Sequence, residues 1–294
     1  MTIESYNQVI ASHTTLLGVI GDPIRHSKSP IMMNRAFRES GINGVYTAFH
    51  ITDQTLPAFI AGVRAMNIRG VNVTIPHKLQ VMELLDHIDA GAAAIGAVNT
   101  IVNDNGVLTG YNTDGIGYVR SLKEEAVPSL AGKRIVVIGA GGASRGIIYA
   151  LLQEKPAKIT VVNRSVHKAE QLAASLGVFA AGGVTTLDAK PSDLLQELCS
   201  EAELIINTTS VGMFPNVEDS PVDASWLQPE AVASDLIYNP LQTRFLQEAK
   251  ERGCITHGGL GMFINQGAFA FEYWTGKPAP VAAMREIVLA SLRV

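Results

Sequence analysis

Two short polar segments of this 294-residue chain carry side chains that can transfer a proton. The first, Gly70-Val-Asn-Val-Thr-Ile-Pro-His-Lys78, has a strand pattern that stops at a proline and delivers a lysine just beyond it. The second, Gly110-Tyr-Asn-Thr-Asp-Gly115, places Asp114 between a strand pattern and a helix pattern. A partly buried lysine can take up and return a proton near neutral pH, so Lys78 is a candidate general acid–base group.

The surroundings of Lys78 favour a functional role over that of an ordinary surface lysine. The sequence predicts a helix from about Lys78 to Leu85, and a cation at a helix N-terminus lies at the unfavourable end of the dipole. Polar Asn72 and Thr74 alternate with valines in the preceding strand, so one face of that strand is predicted to be hydrophilic. The lysine also follows the carboxyl end of a strand, where ligands bind in open α/β sheets.

Two other polar positions each have a plain structural explanation beside the functional one. Asp114 precedes a helix and could serve only as its N-cap. In Arg25-His-Ser-Lys-Ser-Pro30, Ser29 could be an N-cap with Pro30 at the first helical position. Ser27 and Ser29 together, close to a helix N-terminus, would also receive a small carboxylate.

The segment Ile135-Val-Val-Ile-Gly-Ala-Gly-Gly-Ala-Ser144 has the pattern of a strand, a glycine turn and a helix start. Gly139 and Gly141 occupy the first two positions of the G-x-G-x-x-G motif, whereas Ser144 occupies the third. Such glycines allow backbone N–H groups to approach a pyrophosphate at the helix N-terminus, although a simple tight turn would also need them. The strand–turn–helix context favours a dinucleotide site.

The end of the next predicted strand, Thr160-Val-Val-Asn-Arg-Ser165, indicates which dinucleotide is bound. An NAD site usually has a carboxylate here for the ribose 2′-hydroxyl, and this segment has none. Polar and cationic side chains stand there instead: Asn163, Arg164, Ser165 and Lys168. A guanidinium can hold a 2′-phosphate, so the segment favours NADP(H) over a merely solvated basic loop.

Composition restricts the class of protein. Apolar residues make up 47% and charged residues 17%, which suits large cores, and the net charge of −4 gives no attraction to nucleic acid or anionic membranes. Cys199 and Cys254 are far apart and belong to no metal-ligand pattern, which suits a reducing compartment. The N-terminus lacks a signal-peptide pattern and no apolar run is long enough to span a membrane, so a cytoplasmic protein is expected.

Strand-length apolar runs alternate with helical patterns along most of the chain, which predicts α/β folds with parallel sheets. The first strands are predicted at Thr15–Ile20, Val45–Ile51 and Gly70–Ile75. Val98–Val102 and Val107–Tyr111 flank Asn105-Gly106, a strong hairpin signal. The pattern restarts at Arg134–Ile138, which predicts two α/β domains. Two closing helices, Met262–Thr275 and Pro280–Val294, are compatible with covering either domain.

With these segments in view, the chain resembles shikimate dehydrogenases along nearly its whole length. Nine stretches stand in that family's order: HSKSP, NVTIPHK, AVNTI, YNTDG, GAGGASRG, NRS, NTTSVGM, DLIYNP and GLGMFINQ. The resemblance implies an N-terminal substrate-binding domain (residues 1–112 plus 260–294) with a mostly parallel sheet. It also implies a Rossmann-type NADP-binding domain (residues 113–259), with the C-terminal helices packing back on the first domain.

The resemblance also implies a role for each matching residue. Lys78 and Asp114 become the catalytic pair that reduces 3-dehydroshikimate to shikimate. The implied substrate contacts are Ser27, Ser29, Thr74, Asn99, Tyr238 and Gln266. The implied NADP(H) contacts are Gly139, Ala140, Gly141, Gly142 and Ala143 at the pyrophosphate, Asn163, Arg164, Ser165 and Lys168 at the adenosine phosphate, and Leu236, Gly259 and Met262 at the nicotinamide.

Two alternative functions stay open from the sequence. Lys168 stands where the family often has arginine, and a point charge in place of a fork would loosen the preference for NADP, as in a quinate/shikimate dehydrogenase that also uses NAD. A non-catalytic NADP sensor is the other alternative, although it would have no need of the polar residues predicted to contact substrate. The partner predicted is a small-molecule substrate, with no nucleic acid and no membrane, for a monomer or homodimer.

Overall fold

The computed structural model describes residues 10–177, 184–190 and 192–292 of the chain. The chain divides into two compact units, Met1–Thr113 with Gly267–Val294 and Asp114–Gln266. Each unit contains one six-stranded sheet flanked by helices. The predicted fold class, two α/β domains, is therefore confirmed.

The sheet of the first unit is mixed. Its strands are β1 (Thr15–Gly21), β2 (Gly44–His50), β3 (Gly70–Val73), β4 (His87–Ile88), β5 (Thr100–Asp104) and β6 (Val107–Tyr111), in the order β2-β1-β3-β5-β6-β4. The helices are α1 (Ser29–Glu39), α2 (Leu56–Ala65) and α3 (Ala90–Ile95). β1 pairs in parallel with β2 and β3, whereas β5 runs antiparallel to β3 and β6. The carboxyl ends of β1, β2 and β3 therefore lie at one edge.

The hairpin predicted from Asn105-Gly106 is confirmed. Asp104 pairs with Val107 across a two-residue turn. Both turn residues are left-handed, with φ of 54° at Asn105 and 94° at Gly106. Asparagine and glycine tolerate this conformation, and its twist matches that of the flanking strands.

Three local predictions in the first unit are wrong. The third strand ends at Val73 rather than Ile75, and a 3₁₀-helix at Gln80–Leu84 replaces the α-helix predicted from about Lys78 to Leu85. Pro76 has no N–H to donate, and a tight turn forms around it, with the His77 N–H donating to Thr74 O at 3.0 Å. Lys28, not Ser29, is the N-cap of α1, because the helix already includes Ser29 as its first residue.

The sheet of the second unit is parallel throughout. Its strands are β7 (Arg134–Ile138), β8 (Lys158–Asn163), β9 (Val184–Asp188), β10 (Leu204–Asn207), β11 (Val232–Asp235) and β12 (Ile255–His257), in the order β12-β11-β10-β7-β8-β9. The helices that join them are α4 (Asp114–Glu125), α5 (Gly142–Gln153), α6 (Val166–Leu176), α7 (Asp193–Glu201) and α8 (Arg244–Glu251). The strand order reverses between β7 and β10, which is where doubly wound sheets bind ligands.

Both faces of this sheet are buried. Ile135 and Val137 of β7 face one core cluster, which includes residues of α4 and α5. Val136 and Ile138 face a second cluster, which includes residues of α7 and α8. A strand buried on both faces needs a continuous apolar run, and this is the pattern that identified β7 in the sequence. Five short elements were not predicted from the sequence: β4, α3, β9, α7 and β12.

Two helices end the chain, α9 (Gly259–Thr275) and α10 (Val281–Leu292). In the first unit, α10 packs against α1, and the Phe271 ring lies 5.5 Å from that of Phe37. The Trp274 indole N–H donates to Ile101 O at 2.9 Å, and Arg69 Nε donates to Trp274 O at 2.8 Å. The C-terminal segment is thus part of the first unit. Within the described residues, no helix is long and apolar enough to cross a membrane.

Replacement of Gly70 by alanine should disrupt the packing of Trp274 against the sheet, since an added Cβ would overlap the Trp274 indole. The ring would lose its buried hydrogen bond to Ile101 O, and overpacking adds to that loss. We expect Gly70→Ala to lower the free energy of unfolding by about 3 kcal/mol, measured by urea denaturation. Gly62→Ala in α2 is the control, because its Cβ would meet only the Met66 methyl at 3.3 Å. An equal loss in both variants would contradict the packing argument.

Candidate active site

The residues predicted to contact substrate in the first unit gather at the carboxyl edge of its sheet. Thr74 follows β3, and its N–H donates to Ile20 O of β1 at 3.0 Å. The backbone of β1 is so close that a Cβ on Gly21 would lie 2.6 Å from the Thr74 methyl. The segment that follows Gly21 leads directly to Ser27 and Ser29, so Thr74 and the serines belong to neighbouring loops.

The two serines lie at the start of an 11-residue helix, α1. The Ser29 N–H donates to Ser27 Oγ at 3.3 Å, and Ser29 is 8% exposed. Lys28, the N-cap, makes no side-chain cap hydrogen bond, and Ser29 is not the N-cap that the sequence suggested. Because backbone N–H groups at a helix N-terminus and nearby hydroxyls attract anions, this end of α1 suits a carboxylate.

Asn99 is buried, 3% exposed, and is held by the segment that precedes Asp114. Its Oδ1 accepts hydrogen bonds from Thr113 N at 2.8 Å and Thr100 Oγ1 at 2.9 Å. Its Nδ2 donates to Thr113 Oγ1 at 3.0 Å. These bonds fix the amide plane, and with it the position of Asn99 in the first unit.

Lys78 is half-buried, and its main chain is fixed beside Asn99. The Lys78 carbonyl accepts a hydrogen bond from Val98 N at 2.8 Å, and Val98 directly precedes Asn99. The hydrophilic face predicted from Asn72, in contrast, is not a ligand-binding face. Asn72 is buried and its side chain bonds to Tyr46 Oη at 2.7 Å and Thr100 Oγ1 at 3.0 Å.

Asp114 begins α4, and glycines bring this helix very close to two other helices of the second unit. A Cβ on Gly115 would overlap Gly146 O of α5, and a Cβ on Gly117 would lie 2.5 Å from Gln266 N of α9. The first turn of α4 is therefore pressed against both α5 and α9. Asp114 and Gln266, two predicted site residues, are brought near one another by these contacts.

The glycine turn between β7 and α5 has the open geometry that a pyrophosphate needs. Gly139 has φ of +112°, and a Cβ there would lie 2.5 Å from Thr208 Oγ1. Gly141 and Gly142 are exposed, and a Cβ on either would meet nothing within 4 Å. The predicted contacts Ala140 and Ala143 belong to the same turn. Backbone N–H groups at the start of the 12-residue α5 are thus accessible to a phosphate.

Ser144 stabilises this turn in place of the third glycine of the motif. It is fully buried, and its Oγ accepts a hydrogen bond from Gly141 N at 3.1 Å. Its hydroxyl also lies 2.6 Å from Thr208 Oγ1, which donates to Ile138 O at 2.8 Å. The serine therefore connects the turn to the end of β10, a link that the sequence motif did not reveal.

The end of β8 carries the groups expected for an adenosine phosphate. The Asn163 amide donates to Ser165 O at 2.9 Å and shapes the turn into α6. Arg164, Ser165 and Lys168 are exposed, and neither cation has an ion-pair partner among the described residues. Cations without partners at a helix start fit a 2′-phosphate, so the residues present fit NADP(H).

A carboxylate that the sequence did not draw attention to lies beside this group. Asp188 ends β9 and pairs in register with Asn163. Lys190 Nζ lies 3.7 Å from Asp188 Oδ2 and offsets its charge. The net charge around the end of β8 therefore stays positive.

The three residues predicted at the nicotinamide lie together in the second unit. Gly259 N donates to Ile237 O at 3.1 Å, and a Cβ on Gly259 would overlap Leu236 O. Leu236 and Met262 both pack against the same hydrophobic core. The Tyr238 ring stacks on Phe263 at 5.1 Å. Burial raises the pKa of Tyr238, so its phenol stays protonated at neutral pH.

A buried carboxylate holds this segment in place, and sequence reasoning missed it. Asp235 is fully buried, and its Oδ1 accepts hydrogen bonds from Ile237 N at 3.0 Å and Asn207 Nδ2 at 3.2 Å. Its Oδ2 accepts from Thr243 Oγ1 at 2.8 Å. Burial raises the pKa of Asp235, and these donors oppose that shift. An acidic residue at the end of an apolar strand is the signal that could have found it.

One cavity of about 550 Å³ in the first unit contains none of the predicted residues. It is lined by polar residues such as Thr15, Arg69 and Asn103, at the amino ends of β1 and β3. This is the edge of the sheet opposite to Thr74 and Lys78.

Among the described residues there is also no group of three side chains that could hold a metal ion.

Three family models match the chain in succession. The shikimate dehydrogenase substrate-binding domain matches residues 19–101, shikimate/quinate 5-dehydrogenase matches 121–220, and the shikimate 5′-dehydrogenase C-terminal domain matches 259–289. Shikimate dehydrogenase (NADP(+)) from Geobacillus sp. (strain WCH70) is 49% identical, over 95% of this chain and 99% of its own length. The chain belongs to the shikimate dehydrogenase family.

Two solved structures show how far the family likeness extends. Shikimate 5-dehydrogenase from Listeria monocytogenes, in complex with shikimate and NAD, is 41% identical with a TM-score of 0.90, covering 95% of this chain and 98% of that one. Quinate dehydrogenase from Corynebacterium glutamicum, in complex with NAD, is 30% identical with a TM-score of 0.87, covering 94% and 99%. The family resemblance seen in the sequence is confirmed.

The predicted site residues of this member of the shikimate dehydrogenase family fall into two groups, one in each unit. Ser27, Ser29, Thr74, Lys78 and Asn99 belong to the first unit. Asp114, Tyr238, Gln266 and all the predicted cofactor contacts belong to the second unit. The pairing of Lys78 with Asp114 stays a prediction.

Loss of the Ser144 hydroxyl should weaken cofactor binding, because the Gly141 N–H would lose its acceptor and the turn its link to Thr208. One hydrogen bond contributes about 1 kcal/mol, so we expect Ser144→Ala to raise the Kd for NADPH about fivefold, measured by fluorescence titration. Ser175→Ala in α6 is the matched control, since among the described residues its hydroxyl bonds only to Leu172 O of the same helix. A Kd unchanged by Ser144→Ala would contradict this role.

Proposed function

We propose that this protein reversibly reduces 3-dehydroshikimate to shikimate with NADPH, with Lys78 as general acid–base and Asp114 as its partner. The observation that carries the proposal is the near full-length match to the NADP(+)-dependent Geobacillus enzyme at 49% identity. Membership of an NADP-dependent oxidoreductase family is established by that match. The roles of individual residues are our own assignment.

We propose that the two predicted domains have different binding roles. Residues 1–112 with 260–294 bind the substrate and residues 113–259 bind the cofactor, except that Tyr238 lines the substrate pocket and Met262 contacts the nicotinamide. The N-terminus of α1 supports this, because the hydroxyls of Ser27 and Ser29 lie there and suit the ring carboxylate. The open glycine turn and the cations after β8 support the second part. We further propose a monomer or homodimer, which light scattering would determine.

The proposed chemistry needs one proton and one hydride. When bound, NADPH would supply the hydride to the carbonyl carbon of the ring. Lys78 donates a proton to the carbonyl oxygen as negative charge develops there, and it recovers that proton in the reverse direction. Asp114 accepts a hydrogen bond from the ammonium group and orients it. Thr74, Asn99 and Gln266 bind ring hydroxyls, and Tyr238 lines the pocket as a neutral phenol.

The second candidate is a quinate/shikimate dehydrogenase that also uses NAD. One observation favours it: the Listeria relative was solved with shikimate and NAD at 41% identity. Lys168 in place of a fork-shaped arginine agrees with a looser grip on the 2′-phosphate. Quinate carries an additional hydroxyl at the carbon that bears the carboxylate. The space beside Ser27 and Ser29 would therefore decide between the two substrates.

Removal of the proposed acid–base group should abolish most of the turnover. General acid–base catalysis contributes about 10²- to 10⁴-fold, so we expect Lys78→Ala to lower kcat by at least about 100-fold with little change in the KM for shikimate. Lys123→Ala is the control, because that lysine pairs with Glu154 on the surface of the second unit. A kcat within about tenfold of the wild type would rule out this role for Lys78.

Cofactor preference should respond to the cation at position 168. A guanidinium binds a phosphate in two places at once, so Lys168→Arg should raise the ratio of kcat/KM for NADP to that for NAD by about tenfold, whereas Arg164→Ala should lower it. The measurement is a four-way assay of shikimate and quinate, each with NADP and NAD. Rates with quinate and NAD that equal those with shikimate and NADP would favour the second candidate.

A further inference from the structure

His77 directly precedes Lys78 and has no role in the proposed chemistry, yet its side chain is among the most buried polar groups of the first unit. It is 0% exposed. An imidazole is costly to bury unless its ring nitrogens find partners. What those partners are therefore indicates what the side chain does.

The ring of His77 connects the turn after β3 to the loop after β2. Its Nε2 lies 2.5 Å from Ile51 O, and because a carbonyl oxygen only accepts, Nε2 must carry a proton and donate it. On the other side, Nδ1 lies 3.2 Å from Asp53 Oδ1. Nδ1 is buried and makes no well-aligned hydrogen bond, so the bond from Nε2 to Ile51 O is the directional contact of the ring.

The backbone on both sides of His77 is fixed as well. The His77 N–H donates to Thr74 O, and the His77 carbonyl accepts from Val81 N, both at 3.0 Å. The next carbonyl, that of Lys78, accepts from Val98 N at 2.8 Å. The turn is thus held by its own bonds, by Asp22 N, which donates to Ile75 O at 3.1 Å, by the segment before Asn99, and by the buried ring. The hydrogen bond from the ring to Ile51 O connects the turn to the loop after β2.

We propose that His77 is a positioning residue that sets the direction in which the Lys78 side chain leaves the turn. The inference rests on the proposed role of Lys78. A lysine side chain is long and flexible, so the placement of its Nζ depends on the orientation of the main chain that bears it. The buried imidazole fixes that orientation by bonding to Ile51, the residue that follows β2. β2 pairs in parallel with β1, and β1 pairs in parallel with β3, which precedes the turn.

The chain offers a matched control in a second histidine–aspartate pair. His50 Nε2 lies 2.7 Å from Asp22 Oδ1, at the end of the same strand, β2. His50 is 60% exposed and Asp22 40% exposed, in contrast to the fully buried His77. Contacts between exposed polar side chains contribute little, so loss of the His50 ring should leave the turn unchanged.

Three single variants test the role of the ring. His77→Phe keeps the volume of the ring and removes both nitrogen contacts, and we expect kcat to fall about 10- to 100-fold while the KM for NADPH is unchanged. His77→Gln keeps an N–H donor near the position of Nε2, so kcat should recover to within about threefold of the wild type. His50→Phe should change kcat less than about twofold. A kcat for His77→Phe equal to that of the wild type would overturn the proposal.

A double variant separates this inference from the proposed function. If His77 acts through Lys78, then His77→Phe should have no further effect, within about twofold, on the residual kcat of Lys78→Ala. An equal reduction in both backgrounds would show that His77 does not act through the lysine. Should Lys78→Ala alone leave kcat near that of the wild type, the proposed function fails instead, and the two failures are distinguishable.

The cofactor site supplies a check on folding. All predicted NADP(H) contacts belong to the second unit, so a correctly folded His77→Phe protein should bind NADPH with the Kd of the wild type. Its thermal midpoint should also match that of His77→Gln to within a few degrees. If His77→Phe loses NADPH binding together with kcat, the ring is a general structural element, which contradicts the inference.

Discussion

Parallel pairing of strands is the constraint on which the candidate site depends in both units. Parallel neighbours end at the same edge, so loops far apart in sequence are brought together there. In the first unit, β1, β2 and β3 end beside one another and their loops carry Ser27, Asp53 and Lys78. In the second unit, β7, β8, β10 and β11 gather the glycine turn, the cationic turn and the segment after Asp235.

Close helix contact is the second constraint, and glycine makes it possible. Side chains usually keep helix axes 8–10 Å apart, and a glycine at the contact allows a closer approach. Gly115 and Gly117 in the first turn of α4 meet Gly146 and Gln266 directly. The helix that begins with Asp114, α4, is therefore fixed against α5, which follows the pyrophosphate turn, and against α9, which carries Gln266. Alanine at either glycine would displace the carboxylate without touching it.

Buried polar groups fix the details that strands and helices leave open. Asn99, Ser144, Asp235 and His77 are all buried, and each is a predicted site position or directly adjoins one. Each also bonds to a residue from another part of the chain: Thr113, Thr208, Asn207 and Ile51, respectively. A buried donor or acceptor without a partner costs about 1–3 kcal/mol, so each bond strongly favours one arrangement of its loop. Rigidity at the site thus comes from Ser144, Asp235 and His77, which are not predicted ligand contacts, as well as from Asn99, which is one.

The sequence by itself determined the two α/β units, most element bounds, the hairpin at Asn105-Gly106 and the family, because apolar periodicity and short motifs are local properties. It did not determine the 3₁₀-helix after His77, where the turn around Pro76 replaces the start of the predicted α-helix. It also did not determine the N-cap of α1, which is Lys28 and not Ser29. Nor did it reveal the roles of Asn72, Asp188 or Asp235. Those depend on which strands lie side by side, and only the tertiary structure decides that, because burial and hydrogen-bond partners are set by residues distant in the chain.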